Sequence, residues 1–300
     1  MKYYIGVDLG GTNVRIAKVD DDGNIIKDII KPSKAHEGPK AIEDDIINAI
    51  KEFDLSDVEG IGLGIPGPVD TVKNVITQAT NIPGCEGYPF ADNISKAVNK
   101  KVVLNNDANV AGLAEAIFGA GKGYKTVYYV THSTGIGGGL IIDCKIHSGH
   151  KGYAGELANV IVDKDAKQYP IYAHLNKGGV ETVASGTALG LMGNEILGEK
   201  GNTTYKLFEL CKSGDSKAIE LVDKMAKNLA ICLANISAIV APDCFVIGGG
   251  VSKGHDVYFD KLISYFKELC HPEIRDVPIK LAELKEPGVV GAAMLVKYGG

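Results

Sequence analysis

The 300-residue chain has no tryptophan, no Cys-x-x-Cys pair and no apolar run near the length that spans a bilayer; such a run would be roughly 18 residues. The missing run leaves no helical membrane anchor, and the start, Met1-Lys2-Tyr3-Tyr4, leads straight into an expected strand. The expectation is a cytoplasmic protein with no membrane partner. Its six cysteines come no closer than twelve residues, Cys232 to Cys244, so they read as reduced thiols rather than a zinc clip or a redox dithiol. Clustered basic charge is scarce too. The net charge is −5 and Lys100-Lys101 is the one obvious basic pair, which argues against nucleic acid as a partner, because phosphate neutralisation needs grouped Lys and Arg.

Two common nucleotide signatures fail as well. No Gly-x-x-x-x-Gly-Lys-Ser/Thr occurs, which excludes a P-loop. Gly62-Leu-Gly64-Ile-Pro-Gly67 spells the dinucleotide fingerprint, yet Pro68 and the proline-broken stretch after it cannot supply the helix whose N-terminus would hold a pyrophosphate.

What the chain has in quantity is glycine, 38 residues, gathered at the ends of expected strands. Residues 3–8 and 14–19 read as a hairpin turning at Gly10-Gly11. Pro39 starts a helix striped by Ile42, Ile46, Ala49, Ile50 and Phe53. A strand is expected at 59–65, then loop with short strands over 66–93, where prolines interrupt every period. A short strand over 102–104 leads to Asp107, read as the N-cap of a helix carrying Val110, Leu113, Ile117 and Phe118. A strand at 127–131, a glycine turn at 135–139 and a returning strand at 140–143 repeat the opening plan, Gly135 standing 124 residues after Gly11. A long helix over 216–240, a strand at 244–247 running into Gly248-Gly249-Gly250 and a last helix over 289–296 complete an α/β alternation.

Three constellations carry chemistry. In Asp8-Leu-Gly10-Gly11-Thr12-Asn13-Val-Arg15 the glycines let backbone N–H groups approach phosphate oxygens, Thr12 and Asn13 add donors, Arg15 adds charge, and Asp8 is placed to hold magnesium through water. Ser133-Thr134-Gly135-Ile-Gly-Gly-Gly139 repeats that logic with hydroxyls in place of the acid; a glycine run alone is also read as a bulge or close contact. In Asn105-Asn106-Asp107-Ala-Asn109 a carboxylate at a helix start beside amides is suited to take a proton from an alcohol, although on those five residues alone a plain N-cap is the favoured reading.

Taken together, Ile5-Gly-Val-Asp-Leu-Gly-Gly-Thr-Asn13, Gly62-Leu-Gly-Ile-Pro-Gly-Pro68, Asn81-Ile-Pro-Gly84, Asn106-Asp-Ala-Asn109, Thr134-Gly-Ile-Gly-Gly-Gly139, Gly155-Glu156, Ala184-Ser-Gly186 and Ile247-Gly-Gly-Gly250 resemble the ROK family of bacterial sugar kinases and repressors over nearly the whole chain. The resemblance implies an α/β fold of two actin-like ATPase (ribonuclease H-like) domains around a central cleft. The division expected is a smaller domain over 1–107, on which helix 288–300 packs back, and a larger one over 108–287. It further implies an ATP- and Mg2+-dependent hexose 6-kinase acting on a small-molecule sugar, glucose first, and a homodimer. N-acetylmannosamine is the alternative substrate, and a sugar-sensing regulator without catalysis is the alternative class; the first motif begins at Tyr4, which leaves no room for an N-terminal helix-turn-helix.

By the same resemblance Asp107 is the catalytic base. Gly67, Asn106, Glu156, Asn159 and Glu181 bind sugar, and Gly10, Gly11, Thr12, Asn13, Arg15, Thr134, Gly135, Gly249 and Gly250 bind the nucleotide. The family's zinc ligands, one His and three Cys, are replaced here by Asn159, Tyr172, His174 and Gly179, so the expectation is no zinc. Cys85 stands where many glucokinases of the family carry Trp.

Overall fold

The computed structural model describes residues 2–79, 82–198 and 200–299; Asn81, which opens the Asn81–Gly84 segment, lies outside them. In chain order the elements are β1 (Tyr3–Leu9), β2 (Asn13–Asp20), β3 (Ile25–Pro32), α1 (Pro39–Ile50), β4 (Val58–Ile65), β5 (Val69–Asp70), β6 (Val75–Ile76), α2 (Phe90–Val98), β7 (Val102–Asn106) and α3 (Asp107–Phe118). Then follow β8 (Thr126–His132), β9 (Ile136–Ile142), β10 (Lys145–Ile146), α4 (Val180–Ala184), α5 (Gly186–Leu197), α6 (Thr204–Lys212), α7 (Ser216–Val240), β11 (Cys244–Gly248), α8 (His255–Leu269), β12 (Ile279–Leu281) and α9 (Pro287–Tyr298).

Two five-stranded sheets share one strand order, β3-β2-β1-β4-β7 and β10-β9-β8-β11-β12. In the first, β1 runs antiparallel to β2 and parallel to β4, and β4 runs parallel to β7. Each sheet thus has a three-strand meander on one side and two later strands on the other. This is the duplication that the spacing of Gly11 and Gly135 points to.

The chain forms two compact units, one of residues 1–129, 139–155 and 282–300, the other of residues 130–138 and 156–281. The cut differs from one placed after residue 107, because α3 packs on α9 and both belong to the first unit.

In the first unit α9 lies on β1 and β4 at a distance that only glycine permits. A Cβ at Gly6 would collide with the Val289 carbonyl, one at Gly62 with the Ala292 carbonyl, and one at Gly291 with the Val110 carbonyl of α3. Gly64 would meet Val110 Cγ2 at 2.7 Å. The Gly62–Gly67 spelling is therefore a packing surface in β4, not a dinucleotide loop. On the sheet's other side α1 buries Ile42, Ile46, Ala49 and Ile50 with Pro39 in its first turn, as the stripe predicts.

In the second unit, α7 is capped by Asp215, whose carboxylate accepts from the Ala218 N–H at 2.9 Å, and it ends at Ala241 in the left-handed conformation before Pro242. Its buried face includes Leu221, Met225, Leu229 and Leu233.

Three local expectations change. Residues 66–93 contain the short strands β5 and β6 as expected, but α2 already starts at Phe90, because a proline is tolerated at a helix start and Phe90, Ala91 and Ile94 give it a buried face. The glycine run at 137–139 is strand, not turn, since β9 begins at Ile136; Gly139 leaves room for Asn109, whose Oδ1 a Cβ would meet at 2.8 Å. Asp107 is the first residue of α3, and Asn106 is its cap.

If the glycine contact sets the position of α9, Gly62→Ala should cost about 3 kcal/mol or more, as overpacking against rigid backbone does. Gly11→Ala, with nothing within 4 Å of the added carbon, should stay within about 0.5 kcal/mol of the parent. Urea unfolding of the two variants checks the contrast.

Candidate functional site

The acid site of the first unit is built where β7 runs into α3. Asn106 is extended, with φ −63° and ψ 146°, and its Oδ1 accepts from the N–H groups of Ala108 at 2.9 Å and Asn109 at 3.2 Å. Its Nδ2 donates to the Gly67 carbonyl at 3.2 Å. Gly67 holds φ +96°, and a Cβ there would strike the Gln78 carbonyl. Asn105 Oδ1 in turn accepts from Asn106 N at 2.8 Å and Asn109 Nδ2 at 3.0 Å. Asn106 is thus engaged through both its side-chain oxygen and nitrogen in holding the start of α3, whereas Asn109 Oδ1 is buried without a partner.

Asp107 is half-buried and accepts from its neighbour Ala108 N at 2.8 Å. Burial pushes its carboxyl up to about 6 against that bond and the Asn106 side chain. Asp8, at the end of β1, is also pushed up to about 6, first by burial and then by the Asp107 charge, with Arg15 opposing. The Asp8 carboxylate packs on Gly288 in the first turn of α9. A helix N-terminus favours an anion by roughly 0.3–1 kcal/mol, whereas each pKa unit is about 1.4 kcal/mol, so burial wins.

Arg15, expected to face phosphate, pairs instead with Asp28 at 3.1 Å and with Glu286. Its charge is therefore shared, and two close carboxyls keep an incompletely neutralised negative field. That donor set fits a hydrated divalent cation. Among the described residues no three His, Cys, Asp or Glu side chains gather to hold a metal, so the remaining ligands would be water or phosphate oxygens.

The first glycine turn presents Gly11, Thr12 and Asn13 exposed between β1 and β2. Gly10 is not available in the same way, because its N–H closes the turn onto Asn13 O at 2.9 Å.

In the second unit, Thr134 and Gly250 line one cavity of about 580 Å³ together with Gly186, Thr187, Asn194 and Tyr205, a size ordinary for a small-molecule site. Gly249 holds φ +93° and lies against the His132 carbonyl. Gly135 stands beside Glu181, whose Oε2 accepts the Ile136 N–H at 2.8 Å. Burial raises the Glu181 carboxyl, opposed by that N–H and by His174. Glu156 is half-buried at the start of this unit's second segment. Asn159 is exposed and its Oδ1 accepts from Asn176 N at 2.7 Å, so it fastens a loop.

One contributor to the site's framework escaped the sequence reading. His132 is fully buried and its pKa is pushed down to about 4 by burial. Its Nε2 lies 2.8 Å from the Ala184 carbonyl and its Nδ1 3.3 Å from the Tyr258 hydroxyl. A carbonyl only accepts, so Nε2 carries the proton and Tyr258 donates to Nδ1. The ring ties the end of β8 to α4, which carries Glu181. No local motif flags it, because its partners lie 52 and 126 residues away.

Two sheets of matching order with helices constitute the actin-like ATPase fold. A sequence model of the ROK family matches residues 4–298, and the chain belongs to that family. A glucokinase of Halalkalibacterium halodurans is 31% identical over 99% of this chain and 95% of its own length. An N-acetyl-D-glucosamine kinase of Aliivibrio fischeri is 30% identical over 97% of this chain and 98% of its own. Among solved structures, a ROK family glucokinase from Streptomyces griseus in complex with glucose and AMPPNP superposes with a TM-score of 0.79 at 30% identity, covering 99% of this chain and 100% of that one.

The raised acids give a stability signature. A carboxyl whose folded pKa lies above its unfolded one stabilises fully below about pH 4, and that contribution is lost as pH rises through about 6. Asp107→Asn escapes this loss. Its urea midpoint should exceed the parent's at pH 7.5 by an amount on the order of 1–2 kcal/mol in stability, and the gap should close by pH 4.

Proposed function

We propose that this protein is an ATP-dependent sugar kinase that moves the γ-phosphoryl group of ATP to the 6-hydroxyl of a hexose, with glucose as the preferred substrate. The observation that carries the reading is Asp107, a half-buried carboxyl pushed up to about 6 at a helix start whose cap, Asn106, is already engaged. A carboxylate of that pKa is ionised at neutral pH and basic enough to accept a hydroxyl proton. The similarity to glucokinases and to a complex with glucose and an ATP analogue supports the substrate pair.

In the reaction Asp107 takes the proton of the sugar hydroxyl. A new bond forms from that oxygen to the γ-phosphorus, the bond from phosphorus to the bridging oxygen breaks, and ADP leaves. Asp8 would hold magnesium through water, which supplies positive charge against the β- and γ-phosphates. Gly11, Thr12, Asn13, Thr134, Gly135, Gly249 and Gly250 are assigned to the nucleotide. Asn106 and Gly67 act on the sugar by fixing the start of α3, and Glu156 and Glu181 are assigned to sugar hydroxyls. The Aliivibrio fischeri relative supports a second reading, N-acetyl-D-glucosamine as substrate, at nearly equal identity.

An ADP-release assay over glucose, N-acetyl-D-glucosamine, N-acetylmannosamine and fructose tests the choice. Glucose should show the highest kcat/KM; a higher value for N-acetyl-D-glucosamine would establish the second reading, and no turnover with any sugar would remove the kinase. Asp107→Asn should lower kcat by about 10²- to 10⁴-fold with sugar affinity nearly unchanged, and near-parental turnover would refute the assignment. In the parent, kcat/KM should rise with pH through about 6 and level off above it, because the base works only when ionised.

A further inference from the structure

The turn that joins β8 to β9 in the second unit is fastened from two directions. On one side the start of α5 holds it through backbone: the Gly186 N–H donates to the Ser133 carbonyl at 2.8 Å and the Thr187 N–H to the Thr134 carbonyl at 3.2 Å. On the other side, where Gly135 passes into Ile136, the fastener is a side chain. The Ile136 N–H donates to Glu181 Oε2 at 2.8 Å. The fit is close, since a Cβ on Gly135 would stand 2.7 Å from the same oxygen.

Glu181 has a second oxygen. Among the described residues no donor reaches its Oε1, and the side chain is half-buried, so that oxygen is left for a ligand. A carboxylate oxygen in such a place asks for a donor, and a sugar hydroxyl is one. The two oxygens of one group thus look to different substrates. Oε2 faces the turn that carries Thr134 and Gly135, both assigned above to the nucleotide, and Oε1 is the atom with which Glu181 would bind sugar.

We propose that Glu181 is a positioning residue for the nucleotide as well as a sugar ligand: through Oε2 it fixes the turn at Thr134 and Gly135, and through Oε1 it takes a sugar hydroxyl. The inference rests on the kinase reading, which supplies both ligands, and adds a link between them inside the second unit. A hydroxyl held at Oε1 restricts the carboxylate that holds the turn. Whatever this adds to nucleotide affinity is returned equally to sugar affinity.

Calorimetric titration of the full chain with AMPPNP and magnesium, without sugar, separates this role from sugar binding. Glu181→Ala should weaken AMPPNP about tenfold, the low end of what a hydrogen bond to a charged group is worth, whereas a residue that only binds sugar would leave that affinity unchanged. Loss of a negative charge beside a polyphosphate would by itself tighten binding, so weakening reports the lost bond. Glu181→Gln keeps an oxygen that accepts the Ile136 N–H; it should bind AMPPNP at least as well as the parent while losing affinity for glucose. By NMR, the Ile136 amide proton should exchange with solvent faster in the alanine variant than in the glutamine one. Parental AMPPNP affinity in Glu181→Ala overturns the proposal. Weakened AMPPNP binding by Glu181→Gln overturns it too, and that comparison does not depend on the alanine variant folding. A parent that binds no AMPPNP overturns the kinase reading itself, and this proposal with it.

Discussion

The close seating of α9 on glycine is the contact from which the acid site follows. Gly6 and Gly62 let the helix backbone rest on β1 and β4, and Gly291 lets α3 rest on the same helix. Had any of these carried a side chain, α9 would stand off by the width of a methyl group, and Gly288 would no longer lie against Asp8. The separation of Asp8 and Asp107 is thus not set by the two acids, which repel one another, but by backbone packing behind them. Backbone against backbone is stiff, and stiffness is what keeps the Asp107 charge close enough to raise Asp8, while burial alone raises Asp107.

The second sheet repeats the strand order with different chemistry at the corresponding turn. Where β1 carries Asp8 one residue before its end, β8 ends in His132, buried and neutral, followed by hydroxyl-bearing Ser133 and Thr134. One copy holds charge that asks for a cation; the other holds uncharged donors and acceptors around a 580 Å³ cavity. A duplicated framework can carry both, because the hairpin and its two companion strands fix backbone directions, while side chains at the turn decide what is bound.

Much of this was legible in residues whose constraints are local. Pro39 and the stripe of α1, the capped and proline-stopped α7, and the glycine-linked hairpins all follow from spacing along the chain. What escaped depends on residues far apart. Arg15 reads as a phosphate ligand until Glu286, 271 positions away, is brought to it. Asn106 and Asp107 are both good helix caps by type, and only the Asn106 bonds to Ala108, Asn109 and Gly67 decide which one caps. Gly139 looks like part of a turn because the reason for its smallness, Asn109, belongs to another element.

The segment before α4 shows how such distant contacts can replace a stronger cross-link. Asn159, Tyr172, His174 and Gly179 stand where the resemblance places metal ligands, and of these Asn159, Tyr172 and Gly179 make neutral hydrogen bonds. Asn159 binds Asn176 through side chain and carbonyl, the Tyr172 hydroxyl meets Ser185 at 2.8 Å, and Gln168 Nε2 donates to the carbonyls of Tyr172 and Leu175. Tyr172 and Tyr169 add a small apolar cluster with Ala188. Neutral hydrogen bonds contribute about 1 kcal/mol each, so several must act together to hold what one ion would. Because Gly179 immediately precedes α4 and Glu181 lies in its first turn, these bonds help to set where that carboxylate stands.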